Sequence, residues 1–156
     1  MANENPQGPR PDPALKRLEK FIGTWEMKGR TLNSTEDNVM GQATFEWLPG
    51  GFFLQQRIEL NFMGMDLHSV ELIRYEPETQ SFASLVYSNM SPMPLPYQWG
   101  VQEDSLTISV AYGPMDATFK GKFSKDGSRF SGGWRPNPGA DENINVPYDI
   151  EGTRLK

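Results

Sequence analysis

The sequence contains no cysteine and only one histidine, His68, among its 156 residues. Without cysteine there is no disulfide, no thiolate metal ligand and no cysteine nucleophile. A metal site would have to be built from carboxylates. The acidic pairs Glu36-Asp37, Glu103-Asp104 and Asp141-Glu142 each lie in predicted turns, where water solvates them. We therefore expect no cofactor and no structural metal.

The chain also lacks long apolar runs and extended basic patches. No apolar run approaches the roughly 20 residues of a membrane helix, and the first residues do not have the pattern of a secretory signal. The net charge of −5 is spread along the chain, whereas nucleic-acid binding requires clustered cations to neutralise phosphates. We expect a cytoplasmic protein that binds neither membranes nor nucleic acid.

Proline and glycine are abundant, at 13 and 15 residues, and they divide the chain into short segments. Residues 1–13 are rich in Pro, Asn and Gly and are predicted to form a disordered tail, followed by one domain over residues 14–156. The stretch "PALKRLEKFIG" has helical spacing of apolar residues and predicts a short helix that stops at Gly23. Beyond Gly23 the hydrophobic period changes to two.

This alternation predicts about ten short strands separated by turn residues. They cover residues 25–32, 42–48, 52–62, 67–75, 81–89, 97–102, 105–112, 117–124, 129–135 and 146–155. Asp126-Gly127 is the sharpest hairpin signal, because such turns favour positive φ. Connections of about ten residues or fewer are too short for most Greek-key crossings. We therefore predict an all-β fold, a single up-and-down antiparallel barrel with a short N-terminal helix, in preference to a sandwich.

The segment "FIGTW" resembles the Gly-x-Trp signature of lipocalin-like (calycin) barrels. The resemblance implies that Trp25 seals the barrel base and that Arg154, in "YDIEGTRLK", packs across its ring. The segments "ATFEWLPGGFFLQQR", "MGMDLHSVELIRYEPETQSF" and "GKFSKDGSRFSGGW" resemble a bacterial family of unknown function with a lipocalin-like fold. This resemblance spans about Leu15 to Arg154 and implies a fold but no reaction.

The nitrobindins, a neighbouring group with the same fold, bind haem through a histidine near the carboxyl end. The only histidine here, His68, belongs to an early strand, and the last strands contain none. This departure from the nitrobindin pattern argues against haem.

Alternation along the strands, with Trp25 inward, predicts rows of apolar residues that face one interior. Gln56 is the only polar member of its row, and Gly121 and Gly132 are predicted to leave room for a lumen. The fourth strand has an ionisable residue in both rows. We favour His68 over Glu71 as the inward group, because its row-mates Val70 and Leu72 are apolar and a neutral imidazole costs less to bury than a carboxylate. The alternatives are a charge at the wet mouth, or a filled barrel with His68 outside.

The segment "NMSPMPLPYQW" contains three prolines and two methionines, which predicts a stiff apolar loop. It forms either a lid over the barrel or a loop packed on the rim. Together with the inward rows, this loop completes the predicted ligand-binding set, and we assign no catalytic residue. The set is His68, Gln56, Trp47, Glu71, Tyr87, Met90, Met93, Tyr97, Trp99 and Tyr148.

Two functions fit this pattern. The first is a carrier or sensor that binds a small apolar or aromatic molecule, since ligand cavities are lined by such side chains. The second is an enzyme of cyclase or isomerase type, in which His68, Glu71 or a tyrosine transfers a proton within the enclosed barrel. The expected partners are a small hydrophobic molecule and, as one option, a second copy of the chain in a homodimer.

Overall fold

The computed structural model describes residues 8–155, which form a closed barrel of ten antiparallel strands with one short 3₁₀ helix. The predicted all-β barrel is therefore confirmed, whereas residues 1–7 of the predicted tail lie outside the described residues. The elements are the helix Pro13–Phe21 and the strands β1 Gly23–Thr31, β2 Val39–Trp47, β3 Leu54–Phe62, β4 Met65–Glu76, β5 Ser81–Ser88, β6 Leu95–Gln102, β7 Ser105–Tyr112, β8 Met115–Phe123, β9 Arg129–Pro136 and β10 Tyr148–Leu155.

Strand β1 closes the barrel by pairing with β2 on one side and with β10 on the other. Trp25 lies opposite Ala43 of β2 and opposite Arg154 of β10. Every other strand pairs with its neighbours in chain order, so the described sheet has no free edge. Closure also gives each strand one row of side chains facing inward and one facing solvent.

The helix covers one end of the barrel, which we call the closed end. Asp12 caps the helix by accepting a hydrogen bond from the Ala14 amide, and Pro13 occupies the first turn. The side chains of Leu15, Leu18 and Phe21 are buried and belong to the same hydrophobic core as the inward side chains of the strands. At the opposite end, which we call the open end, only loops and turns connect the strands; they cover residues 32–38, 63–64, 89–94, 113–114 and 137–147.

Trp25 is fully buried at the closed end. Its indole nitrogen donates a hydrogen bond to the carbonyl of Phe21 at 2.8 Å, and the guanidinium carbon of Arg154 lies 4.3 Å from the ring centroid. Arg154 also donates hydrogen bonds to the carbonyls of Lys20 and Ile22, which join the helix to β10. The predicted packing of Arg154 across Trp25 is thus confirmed, and such a desolvated cation–π contact can contribute about 2 kcal/mol.

Gly121 and Gly132 do not leave an empty lumen, contrary to the sequence prediction. They face each other across β8 and β9. A Cβ atom at Gly132 would lie 2.5 Å from Cζ of Phe119, and one at Gly121 would lie 2.8 Å from Cε1 of the same ring. The Phe119 ring therefore occupies the space that the two missing side chains provide, and these glycines serve close packing.

We predict that Trp25→Ala lowers the free energy of unfolding by about 3–5 kcal/mol, because it leaves a large cavity and removes the contact with Arg154. Urea denaturation of the variant and of the unchanged protein measures this loss. Phe53→Ala is the control, since Phe53 is an exposed aromatic residue at the same end, and it should change stability by about 0.5 kcal/mol or less. Equal losses in the two variants would contradict the assignment of Trp25 as the plug.

Candidate functional site

Glu71 of β4 faces the interior and is only 4% exposed. The register explains this orientation: Ile73 lies opposite Leu54, and Glu71 lies opposite Gln56, on strands whose paired residues share a face. Because Leu54 and Ile73 are fully buried, the row that contains them, and therefore Glu71, must point inward. The barrel thus holds one carboxyl group among apolar side chains.

One oxygen of this carboxyl accepts two hydrogen bonds from other strands. Oε2 of Glu71 lies 2.5 Å from Oγ of Ser84 on β5 and 2.8 Å from Nε1 of Trp99 on β6. Burial raises the pKa of Glu71 to about 7, although both hydrogen bonds oppose this shift by favouring the charged form. Near pH 7 both the acid and the carboxylate form of Glu71 are therefore populated.

The other oxygen, Oε1, accepts no hydrogen bond from any group within residues 8–155. In the same part of the chain no fully buried side-chain nitrogen or oxygen lacks a partner. Oε1 therefore keeps some surface that a water-sized molecule can reach. The inward side of Glu71 offers a free acceptor, or a donor once it is protonated.

Two tyrosines complete the polar lining above Glu71. Burial and the neighbouring charge of Glu71 raise the pKa of Tyr97, and burial raises the pKa of Tyr148. Both phenols therefore stay neutral at physiological pH. Neither hydroxyl has a hydrogen-bond partner among the described residues, and both tyrosines are only partly buried.

Aromatic rings form the wall around these hydroxyls. The ring of Tyr148 meets Phe62 edge-on at 5.0 Å, and the ring of Tyr97 meets Trp134 at 5.7 Å. Below Glu71, Trp99 contacts Phe21 of the helix at 5.6 Å, so the closed-end plug supports the floor of the site. These residues form an apolar part of the barrel interior with one carboxyl and two phenols among its side chains, which we call the chamber.

Five members of the predicted set lie on the inward rows near this chamber. Glu71 and Trp99 are hydrogen-bonded, Gln56 is the cross-strand neighbour of Glu71, and Tyr97 and Tyr148 line the space above. Trp47 is also inward, but it ends β2 at the closed end and packs against the core.

The orientation predicted for His68 is wrong. Its side chain is 60% exposed on the outer wall, where Nδ1 lies 3.8 Å from a carboxylate oxygen of Glu59. Its row was favoured because Val70 and Leu72 are apolar, but the register with β3 turns that row outward. The pattern of β4 alone does not reveal the residues that stabilise Glu71 inside, because these partners are on β5 and β6.

Three further members of the predicted set are exposed. Tyr87 is on the outward row of β5, and Met90 and Met93, in the loop between β5 and β6, are about half exposed. The methionines therefore do not form a closed lid. Their loop leaves β5 and β6 paired over only residues 82–86 and 95–99.

Ser84 and Trp134 belong to the site but are absent from the predicted set. Ser84 alternates with the buried Phe82, a pattern that places it inward without indicating its role. Trp134 contacts both Tyr97 and Phe119. Only the neighbouring strands show that the serine binds a carboxyl and that the tryptophan faces the chamber.

The outer wall has two open depressions that do not include Glu71. One, of about 340 Å³, lies over β3, β4 and β5 beside His68, and the other, of about 380 Å³, lies beside Lys120 and Arg135.

Within residues 8–155 no three acidic or histidine side chains approach closely enough to hold a metal ion. The described part also contains no helix long and apolar enough to cross a membrane.

We predict that Glu71→Gln changes how stability depends on pH. Below about pH 4.5 the carboxyl is protonated in both folded and unfolded chains. Between pH 4.5 and 7 the unfolded chain releases this proton while the folded chain retains it, so the contribution of Glu71 to the free energy of unfolding falls by about 3 kcal/mol and then levels off. Glutamine cannot ionise, and the variant should therefore gain about that much relative to the unchanged protein across this range.

Urea denaturation at several pH values between 4 and 8 measures the difference between the two proteins. Glu59→Gln is the matched control, because Glu59 is exposed on the adjacent strand. If the difference for Glu71→Gln stayed constant over this range, Glu71 would titrate alike in folded and unfolded chains and the buried site would be refuted.

Comparison with known structures supports the fold. The chain is similar to a crystal structure of Rv2717c from M. tuberculosis, with a TM-score of 0.58 and 12% sequence identity, over 94% of this chain and 99% of that one. At such low identity the similarity shows the architecture alone. A search of curated proteins finds no significant match.

A family model matches residues 10–126, from the residues before the helix to the turn after β8. The match includes Glu71, Ser84, Tyr97 and Trp99, while β9 and β10, which complete the barrel, lie beyond it. Its extent, three quarters of the sequence, shows the family. The chain belongs to DUF1579, a family of proteins of unknown function.

Proposed function

We propose that the barrel binds a small, largely apolar or aromatic molecule in its open half, above Glu71. The observation that carries this proposal is the buried carboxyl, whose Oε1 has no hydrogen-bond partner within residues 8–155 and keeps some surface that a water-sized molecule can reach. Binding cavities characteristically combine apolar walls with a few convergent polar groups. Glu71, Tyr97 and Tyr148 would provide those groups here.

Aromatic surface remains accessible toward the open end of the barrel. Near the closed end, the inward side chains Trp25, Leu54 and Phe82 are fully buried. Toward the open end, inward aromatic residues, including Phe62 and Trp134, are only partly buried. Phe62 and Trp134 therefore present partly accessible aromatic surface toward the open end.

The mouth of the barrel offers an apolar approach to this chamber. Most of the exposed large hydrophobic side chains lie on strand ends or loops of the open end: Leu32, Met40, Met63, Met65, Met90, Met93, Tyr112 and Ile144. Flexible methionine side chains adapt to apolar molecules of different shapes. This concentration favours an apolar molecule entering from the open end.

Proton transfer is the second candidate function. Its support is the pKa of Glu71 near 7, which suits a general acid or base at physiological pH, and the adjacent phenol of Tyr97. In a carrier, Glu71 would contribute only to ligand affinity. In an enzyme, Glu71 would have to donate or accept a proton during the reaction. Glu71→Gln would therefore retain binding but abolish turnover in an enzyme.

We predict that Ser69→Trp abolishes binding of the neutral probe 2-(1-naphthyl)ethanol. Ser69 is on the inward row of β4, two residues closer to the open end than Glu71. An indole at this position would fill the space above the carboxyl. Fluorescence titration measures saturable binding, which we expect for the unchanged protein and not for the variant.

Val70→Trp is the matched control, because Val70 is the next residue and faces outward. It should bind the probe like the unchanged protein, and circular dichroism should show the same fold in both variants. No saturable binding to the unchanged protein, or equal binding to both folded variants, would contradict a binding site inside the barrel.

A further inference from the structure

We infer that the molecule bound in the barrel carries a basic amine and that Glu71 binds this amine as an ion pair. This inference rests on the proposed function and adds the chemical class of the ligand. The argument combines the charges of the inward rows, the free acceptor on Glu71 and the aromatic wall above it.

The inward rows of the ten strands contain one carboxylic acid, Glu71, and one strongly basic side chain, Arg154. Arg154 lies at the closed end, where it stacks on Trp25 and donates to the carbonyls of Lys20, Ile22 and Gly127. No lysine, arginine or histidine lines the open half on these rows. A carboxylate ligand would lose its hydration there without meeting a cation and would be repelled by Glu71.

An ammonium group, by contrast, matches the available partners. The two hydrogen bonds from Ser84 and Trp99 converge on Oε2, which leaves Oε1 to accept from a ligand. The hydroxyl oxygens of Tyr97 and Tyr148 can accept further donors. The faces of the surrounding aromatic rings also attract cations. An apolar molecule with one amine would satisfy all these groups at once.

The residues that face Glu71 make its response to pH simple. Tyr97 approaches from β6, Ser84 from β5 and Gln56 from β3, while Tyr148 lies across the barrel on β10. Both phenols remain neutral because burial raises the pKa of each, and neither Ser84 nor Gln56 titrates. Among these facing groups of the described chain, only Glu71 changes charge near pH 7, and binding an amine requires its carboxylate form. Amine affinity should therefore rise as the pH increases from 6 to 8.

The test compares three naphthalene compounds that differ in charge: 2-(1-naphthyl)ethylamine, 2-(1-naphthyl)ethanol and 3-(1-naphthyl)propanoate. Isothermal titration calorimetry at pH 8 should show that the amine binds about tenfold to a hundredfold more tightly than the carboxylate. Glu71→Gln should remove this preference for the amine over the carboxylate, and circular dichroism should show that the variant keeps the fold. Glu59→Gln, on the outer wall, should retain the preference.

A second measurement needs no variant. For the unchanged protein, amine affinity should be about tenfold lower at pH 6 than at pH 8, because most of Glu71 is then protonated, while alcohol affinity stays constant. If the alcohol binds but the amine binds no better than the carboxylate, the amine inference is overturned and the proposed function stands. If none of the compounds binds, the proposed function fails, and the inference fails with it. A preference for the amine that persists in folded Glu71→Gln would overturn the role of Glu71.

Discussion

Closure of the sheet is the constraint on which the rest of the structure depends. Because β1 pairs with both β2 and β10, the register of each strand is fixed relative to all the others. A slip of one residue would turn every inward side chain of that strand outward. Trp25, Arg154 and the helix secure the closed end, where the first and last strands meet. The same closure determines which row of β4 faces the interior.

Burial of Glu71 is a local cost that the surrounding structure accommodates. An inward carboxyl in an apolar barrel is unfavourable unless it is neutral or hydrogen-bonded. Here Ser84 and Trp99 bind one oxygen, and burial raises the pKa so that the neutral form is accessible near pH 7. Trp99 in turn rests against Phe21. Direct contacts therefore connect the plug at the closed end, through Phe21 and Trp99, to the carboxyl of Glu71.

Much of the fold could be predicted from short-range patterns. Alternation after Gly23 predicts the strands, and Asp126-Gly127 predicts a turn in which Gly127 indeed has a φ of 74°. The contact between Trp25 and Arg154 follows from the resemblance to lipocalin-like barrels. Strand ends were less predictable: β6 begins at Leu95 and includes Pro96, because pairing with β5 extends it beyond the boundary that composition suggests.

By itself, the sequence determined that β4 has two rows and that each row contains an ionisable residue. Alternation along one strand cannot decide which row is buried, because that depends on the register with β3 and on the side chains across the barrel. The lower free-energy cost of burying a neutral imidazole than a carboxylate favours His68 as the inward group. In the tertiary structure the register with β3 turns the row of Glu71 inward. Only there do Ser84 and Trp99 lie within hydrogen-bond distance of the carboxyl, and these long-range partners make its burial tolerable.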